Sequence, residues 1–244
     1  MDTIIFDLGG TLYEPLEGLV SVARRHLIDA GIEECEDLTD DEIENALDTQ
    51  RRDWLIQYMR DNNVEPHWEP TRYEWIKYDR MLLEVLCIDG DLDSLAATYQ
   101  DKWDAFHQSI RPKLIDGCKE GLARMSADGY KLGIASNRFG DPSTHLETDE
   151  IKQYFGAIEY TAVPGYAKPS PYMLLEVARA LGSNPHRCAY VGNIVEHDVV
   201  SANRAGMVPI LLTWIDSEQR DLAPEGTVII DHIWELEEML KPLV

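Results

Sequence analysis

Residues 3–11 read Thr-Ile-Ile-Phe-Asp-Leu-Gly-Gly-Thr, and this stretch decides the fold. Its first residues are β-branched or aromatic, the apolar run ends in the carboxyl group of Asp7, and two glycines then break the pattern. A short apolar run bounded by a glycine turn is typical of a strand that is buried on both faces, as in parallel sheets. Because open α/β sheets carry their functional groups at the carboxyl ends of the strands, the sequence marks Asp7 as a candidate functional residue.

Short apolar runs alternate with helical patterns in the second half of the chain. We predict strands at 131–136, 158–163, 188–191, 208–212 and 227–230, and a closing helix at 233–240. The clearest helix has Ser170 as its predicted cap and Pro171 as its first residue. This alternation predicts a Rossmann-like, doubly wound parallel sheet of the α/β class, formed by residues 1–13 and 111–244.

The segment 14–110 carries helical patterns and no strand signal. Thr39 and Glu42 have the spacing of a capping box, and further helices are predicted at 72–86 and 92–107. The segment contains 24 acidic and 9 basic residues, so it holds most of the negative charge of the protein. We therefore predict a separate, acidic, α-helical domain inserted into the sheet domain.

The charge and the cysteines exclude several classes of function. Among 244 residues, 22 Lys and Arg face 45 Asp and Glu, a net charge of -23 that disfavours nucleic acids and anionic membranes as partners. We find no apolar run of about 18 residues and no signal-peptide pattern, so a cytoplasmic protein is expected. The four cysteines include no C-x-x-C pair, which argues against a zinc site or a disulfide framework.

Polar side chains follow the predicted strands and suit the chemistry of a phosphoester. Asp7 can attack phosphorus, while Ser136 and Lys168 can hold and neutralise the transferred oxygens. Asn193 and Asp198 follow the strand at 188–191 and, with Asp7, can bind an oxygen-liganded Mg²⁺. Because these loops open on one edge of a parallel sheet, we expect the side chains to converge.

Four segments resemble the motifs of the haloacid dehalogenase superfamily: 6–12, 135–137, 168–171 and 191–207. The helical insert after the first segment resembles that superfamily's cap. The resemblance implies a nucleophile, a hydroxyl group, a lysine and a metal-holding motif, which map to Asp7, Ser136, Lys168, and Asn193 with Asp198. It further implies that Gly9 offers its carbonyl to the metal, and that the phosphate is bound by Gly10, Thr11, Ser136, Asn137 and Lys168.

The sequence departs from the superfamily pattern at two positions. Gly9 stands where phosphatases of the superfamily carry a general acid, and Asn193 replaces an aspartate. A missing general acid costs about 10²- to 10⁴-fold in rate, unless the leaving group needs no proton or another residue supplies it. Tyr13 and Glu14 are the nearest candidates for that role in sequence. Asn193 keeps an oxygen ligand but removes a negative charge, which should weaken Mg²⁺ binding.

Three functions are compatible with these residues. The first is a Mg²⁺-dependent phosphatase that acts on a small phosphorylated metabolite through an aspartyl phosphate on Asp7. The second is a metal-independent 2-haloacid dehalogenase. Enzymes of that branch of the superfamily also lack the phosphatases' aspartate at the position of Gly9 and carry an asparagine in the fourth motif. The third is a binding or regulatory protein of the same fold with weakened catalysis. The sequence indicates no oligomeric state.

Overall fold

The computed structural model describes residues 1–240, which divide into two units. One unit consists of Met1–Pro15 together with the chain from Pro112 onward, and the other is Leu16–Arg111. The chain therefore leaves the first unit after Pro15 and returns to it about one hundred residues later, at Pro112.

The unit Leu16–Arg111 is built from helices, and no strand occurs in it. Its α-helices are α1 (Leu19–Asp29), α2 (Asp40–Gln50), α3 (Gln57–Asp61), α4 (Arg72–Val85) and α5 (Leu92–Ser109). The capping box is confirmed, since Thr39 accepts the N–H of Glu42 and the Glu42 carboxylate accepts the N–H of Thr39. Side chains of α1, α2, α4 and α5 share one apolar core that includes Leu27, Ala46, Leu82, Leu83 and Tyr99.

Asp79 of α4 is a buried carboxyl group in this helical core. Its residue is 3% exposed, and its Oδ2 atom accepts no hydrogen bond from a described residue. Burial raises the pKa of Asp79 well above its ordinary value; nearby Asp104 acts in the same direction and Arg72 opposes it. The folded protein therefore binds the Asp79 proton more tightly than the unfolded chain does.

We predict that an Asp79→Asn variant loses a pH dependence of stability that the wild type has. The folded pKa lies above the ordinary 3.8, so the wild type loses stability as pH rises from about 4 towards that folded pKa. Thermal unfolding of both proteins between about pH 4 and pH 8 tests this. The stability of the variant relative to wild type should grow with pH, whereas an Asp48→Asn control at an exposed position of α2 should give a constant difference. A constant difference for Asp79→Asn as well would contradict the prediction.

The other unit is organised around a parallel sheet of six strands. The strands are β1 (Thr3–Phe6), β2 (Lys131–Ser136), β3 (Phe155–Tyr160), β4 (Cys188–Gly192), β5 (Val208–Leu212) and β6 (Val228–Ile230). They lie in the order β3-β2-β1-β4-β5-β6, and every neighbouring pair is parallel. The strand order reverses at β1, which confirms the predicted doubly wound α/β fold and places the switch point beside Asp7.

Helices cover both faces of this sheet. They are α6 (Cys118–Ala127), α7 (Ser143–Thr148), α8 (Tyr172–Ala180), α9 (Val200–Ala205), α10 (Gln219–Leu222) and α11 (Leu236–Leu240). Ile4 and Phe6 belong to one apolar core with α6, α7 and α11, whereas Ile5 belongs to another with α8 and α9. Because successive side chains of β1 point to opposite faces of the sheet, they pack in two separate apolar cores. None of the helices in the described residues is long and apolar enough to span a membrane.

Several predicted boundaries are wrong. The closing helix is α-helical only from Leu236, after a 3-10 turn at Ile233–Glu235, and β6 begins at Val228 rather than at 227. β3 begins at Phe155 and ends at Tyr160, three residues before the predicted 158–163. Gly156 hides the start of this strand in the sequence. A Cβ atom there would lie 2.8 Å from Leu181 Cδ2, so glycine lets the Leu181 side chain pack closely against the strand. α8 begins at Tyr172 rather than at Pro171, although the Ser170 hydroxyl does accept the Tyr172 N–H at 3.4 Å.

Candidate active site

The sheet brings the ends of its three central strands together. Phe6 of β1 is paired with Ile134 of β2 on one side and with Val191 of β4 on the other. All three strands are parallel, so their carboxyl ends lie at the same edge of the sheet. Ser136 and Gly192 are the last residues of β2 and β4, and Asp7 comes directly after β1. This is the edge and the switch point at which open α/β sheets bind ligands.

The Asp7 carboxylate is held by one of its two oxygens. Ser136 Oγ donates to Asp7 Oδ1 at 2.9 Å, and Lys168 Nζ donates to the same atom at 2.7 Å. Oδ2 accepts no hydrogen bond from a described residue, and the residue is 7% exposed. Burial raises the pKa of Asp7 and Asp198 adds to this, while Lys168 and Ser136 oppose it. Asp7 is thus oriented through one oxygen and has the other available for a new bond.

The Lys168 ammonium group donates three hydrogen bonds in a closed pocket. Its Nζ atom lies 2.7 Å from Asp7 Oδ1, 2.7 Å from Asp198 Oδ1 and 2.8 Å from the Tyr190 hydroxyl oxygen. Burial lowers the pKa of Lys168, but the two carboxylates outweigh it and hold that pKa above its ordinary value. The side chain is 3% exposed, so a charged ammonium group sits between two carboxylates.

Asp198 is fully engaged by protein groups. It lies in a π-helical turn, Val195–Val199, and its Oδ2 atom accepts the N–H groups of Asn193 and Ile194, each at 2.9 Å. Its Oδ1 atom accepts from Lys168. Gly192 makes this possible, because a Cβ atom there would lie 2.3 Å from Asp198 Cγ.

We therefore predict that Gly192→Ala is destabilising and reduces activity. The added methyl group overlaps Asp198 close to the backbone, where no rotamer change removes the clash, and overpacking of this kind costs about 1–3 kcal/mol. Thermal unfolding and turnover measure the two effects. Gly121→Ala in α6 is a matched control, since its added Cβ meets no atom within 4 Å and alanine favours a helix. Equal unfolding temperatures for the two variants would contradict the prediction.

The residues predicted to bind substrate surround this group. Asn137 is bonded to the Lys168 backbone in both directions, as its Nδ2 donates to Lys168 O at 3.0 Å and its Oδ1 accepts the Lys168 N–H at 2.7 Å. Gly10 has a φ of 74°, and its carbonyl accepts from Trp214 Nε1 at 2.9 Å. Thr11 is buried, with its hydroxyl 3.5 Å from Asn193 Oδ1. The Asn137 side chain therefore fixes the lysine segment.

The predicted metal ligands differ in what they can offer. Asp7 Oδ2 and the Gly9 carbonyl accept no hydrogen bond from a described residue, and Asn193 Oδ1 accepts only the long contact from Thr11. Asp198 has both oxygens engaged. Within the described residues, no three His, Cys, Asp or Glu side chains group into a metal site. The available donors are all oxygens, which suits Mg²⁺, but they carry a single negative charge.

Neither of the two candidates for the missing general acid, Tyr13 and Glu14, forms a hydrogen bond with Asp7. The Tyr13 hydroxyl donates to Asp149 Oδ2 at 2.8 Å, and burial raises the pKa of Tyr13. Glu14 accepts from Lys113 Nζ at 2.7 Å. At Gly9 itself the space is open, since an added Cβ would meet no atom within 4 Å.

Sequence reasoning missed two side chains of this site. Tyr190 lies inside the apolar run of β4, where the sequence presents it as an ordinary core residue. Its hydroxyl was the available signal, because a buried tyrosine hydroxyl normally has a hydrogen-bond partner. Trp214 lies beyond β5, and no motif marks its contact with Gly10.

Comparison with known proteins gives a consistent assignment. The model of the haloacid dehalogenase-like hydrolase family matches residues 1–206. A probable phosphatase, IndB of Dickeya dadantii, is 28% identical, covering 96% of this chain and 90% of its own. The glyceraldehyde 3-phosphate phosphatase of Methanopyrus kandleri is 26% identical, covering 98% of this chain and 97% of its own.

A similar fold occurs in solved structures. The crystal structure of a predicted phosphoglycolate phosphatase from Haemophilus somnus superposes with a TM-score of 0.66. The match covers 98% of each chain at 16% identity. At this identity the likeness concerns the fold alone.

Proposed function

Because this chain belongs to the haloacid dehalogenase-like hydrolases, we propose that it is a phosphatase of a small phosphorylated metabolite. The observation that carries the proposal is the Asp7 carboxylate, with one oxygen fixed by Ser136 and Lys168 and the other unbonded. The two curated relatives named above, which cover nearly the whole chain, are described as phosphatases and support the same activity.

In the proposed reaction, Asp7 Oδ2 attacks the phosphorus atom and forms an aspartyl phosphate. The bond between phosphorus and the ester oxygen breaks, and the leaving alcohol takes its proton from solvent. A water molecule then attacks phosphorus, so that inorganic phosphate leaves and the carboxylate is restored. Throughout, the Lys168 ammonium group offsets negative charge on the transferred group, and the Ser136 hydroxyl keeps Asp7 aligned.

We propose Asp7, the Gly9 carbonyl and the Asn193 side chain as the residues that would hold Mg²⁺. When bound, Mg²⁺ would supply positive charge that stabilises the phosphoryl oxygens. Asp198 would support the site without binding the metal, because its hydrogen bonds fix both Lys168 and the backbone of Asn193. With only one charged ligand, we expect the binding of Mg²⁺ to be weak, so that high concentrations are needed for full activity.

The test is phosphate release from a panel of small phosphomonoesters and from p-nitrophenyl phosphate, with and without Mg²⁺. Mg²⁺-dependent turnover is expected, and the fastest member of the panel would indicate the substrate class. If no member of the panel is hydrolysed at high enzyme concentration, the phosphatase proposal is wrong. A binding or regulatory role would then be favoured, or the alternative that follows.

The alternative is hydrolysis of a small 2-haloacid without a metal. One observation favours it. Both oxygens of Asp198 are engaged by Lys168 and backbone N–H groups rather than free to bind a metal, and the positive charge that directly contacts Asp7 is that of Lys168. In that reaction Asp7 would displace halide from carbon, and water would hydrolyse the resulting ester. Halide release from 2-chloropropionate without added metal would support this reading, and its absence would remove it.

A further inference from the structure

The hydroxyl group of Tyr190 lies among the hydrogen-bonded side chains of Lys168 and Asp198 in the candidate active site. The residue lies in the middle of β4, it is 0% exposed, and its ring packs in the core shared with α8 and α9. Its hydroxyl oxygen lies 2.8 Å from Lys168 Nζ and 2.8 Å from the carbonyl oxygen of Ala135. Ala135 directly precedes Ser136, so the hydroxyl joins the lysine to the strand end that carries the serine.

We propose that Tyr190 is a positioning residue that fixes the Lys168 ammonium group for the transfer of the phosphoryl group. This inference rests on the proposed phosphatase function. The roles in the hydrogen bonds follow from the number of protons: Lys168 has only N–H donors, so Tyr190 accepts from it. The single hydroxyl proton of Tyr190 then goes to the Ala135 carbonyl, leaving its 3.3 Å approach to Asp198 Oδ1 as a contact without a proton.

This arrangement determines where the ammonium group lies. Lys168 has three N–H groups, and Asp7, Asp198 and Tyr190 accept one each. The two carboxylates are both attractive, so alone they leave the group free to shift between them. The neutral tyrosine oxygen, tied to the backbone of β2, defines the third direction. Tyr190 itself stays neutral, because burial and the nearby Asp198 and Asp7 raise its pKa well above the ordinary value.

Removing only the hydroxyl leaves one Lys168 N–H without an acceptor in a closed pocket. Phenylalanine keeps the ring and therefore the packing of the core around β4. The ammonium group then moves towards one carboxylate, and its positive charge is no longer held in the position that offsets the charge of the transferred oxygens. Since this placement acts in the transition state, the loss should appear in kcat rather than in KM.

The experiment compares Tyr190→Phe with Tyr99→Phe, which changes an equally buried tyrosine in the helical unit. For the best phosphomonoester, Tyr190→Phe should lower kcat about 10-fold and change KM less than about 2-fold. Tyr99→Phe should leave both constants near the wild-type values. A kcat for Tyr190→Phe within about 2-fold of wild type, or an equal fall in Tyr99→Phe, would overturn the proposal.

A second measurement does not depend on turnover. In protein labelled with [¹⁵N]lysine, the Lys168 ammonium resonance is assigned by its loss in Lys168→Arg, and its hydrogen exchange is measured at one pH. The wild-type signal should exchange slowly, and exchange should be about 10-fold faster in Tyr190→Phe and unchanged in Tyr99→Phe. Equal exchange in all three proteins would overturn the proposal. If hydrogen exchange of Lys168 is faster in Tyr190→Phe but no phosphomonoester is hydrolysed by any of the proteins, the proposed phosphatase function is wrong, while the positioning of Lys168 by Tyr190 is supported.

Discussion

An Asp7→Asn protein is expected to release phosphate at least about 10³-fold more slowly than the wild type. The amide oxygen can still accept the hydrogen bonds of Ser136 and Lys168, so the geometry of the site is kept. It cannot form an aspartyl phosphate, because a carboxamide lacks the negatively charged oxygen that attacks phosphorus. Initial rates with the best phosphomonoester measure the effect.

The stability of the same variant provides the control. Asp7 and Asp198 share one ammonium group, and the substitution leaves Lys168 with Asp198 as a one-to-one pair. Since burial raises the pKa of Asp7, loss of its charge should keep or raise the unfolding temperature. If the variant is inactive and also unfolded, its loss of activity does not test the role of Asp7. The role is then tested in the wild type, by acid quenching during turnover and detection of the phosphoryl group on Asp7. Undiminished turnover in a folded Asp7→Asn protein would exclude the mechanism.

The second large effect is a gain: Gly9→Asp should raise kcat for an alkyl phosphate by about 10²- to 10⁴-fold. The phosphatases that this sequence resembles carry their general acid at this position, two residues after the nucleophile, and here a new side chain would enter open space. A carboxylic acid there could protonate the departing alkoxide. Acetyl phosphate should gain far less, because its carboxylate leaving group departs without a proton.

Gly9→Asn is the matched control for this gain. It adds the same number of heavy atoms at the same place and changes the backbone freedom equally, but it transfers no proton. A similar rise for Gly9→Asn and Gly9→Asp would show that the effect is steric or conformational. No rise in either variant would contradict the prediction, because protonation of the leaving group would then not limit kcat.

The sequence predicts most of the sheet well because most of its strands contain a continuous apolar run. β2 and β5 match their predicted bounds, since all residues after the first in each strand are buried and nearly all of them are apolar. The predicted bounds of β3 are wrong because Gly156 resembles a break in the pattern, although in the fold it lies in the strand and packs closely against the Leu181 side chain. Only a contact between distant residues explains that glycine, so local patterns cannot reveal it.

The sequence predicts most residues of the candidate active site, but it does not predict which hydrogen bonds join them. Asp7, Ser136 and Lys168 stand at strand ends and in motifs, and the structure brings them within hydrogen-bond distance. Asp198 was predicted beside them as a metal ligand, but the absence of a Cβ at Gly192 lets it turn towards Lys168 and the backbone. The roles of these residues, the cytoplasmic location and the absence of nucleic-acid or membrane partners stay predictions.

Of the six strands in the sheet, the one that is synthesised first is also one of the two central strands. β1 pairs only with β2 and β4, which are synthesised after the entire helical unit. During that interval its apolar residues have no partner, and unpaired apolar strands favour association between nascent chains. The segment made next carries 24 acidic and 9 basic residues, so neighbouring chains on one messenger repel each other. We expect this charge to protect the unfinished sheet until residues 131–136 and 188–192 emerge.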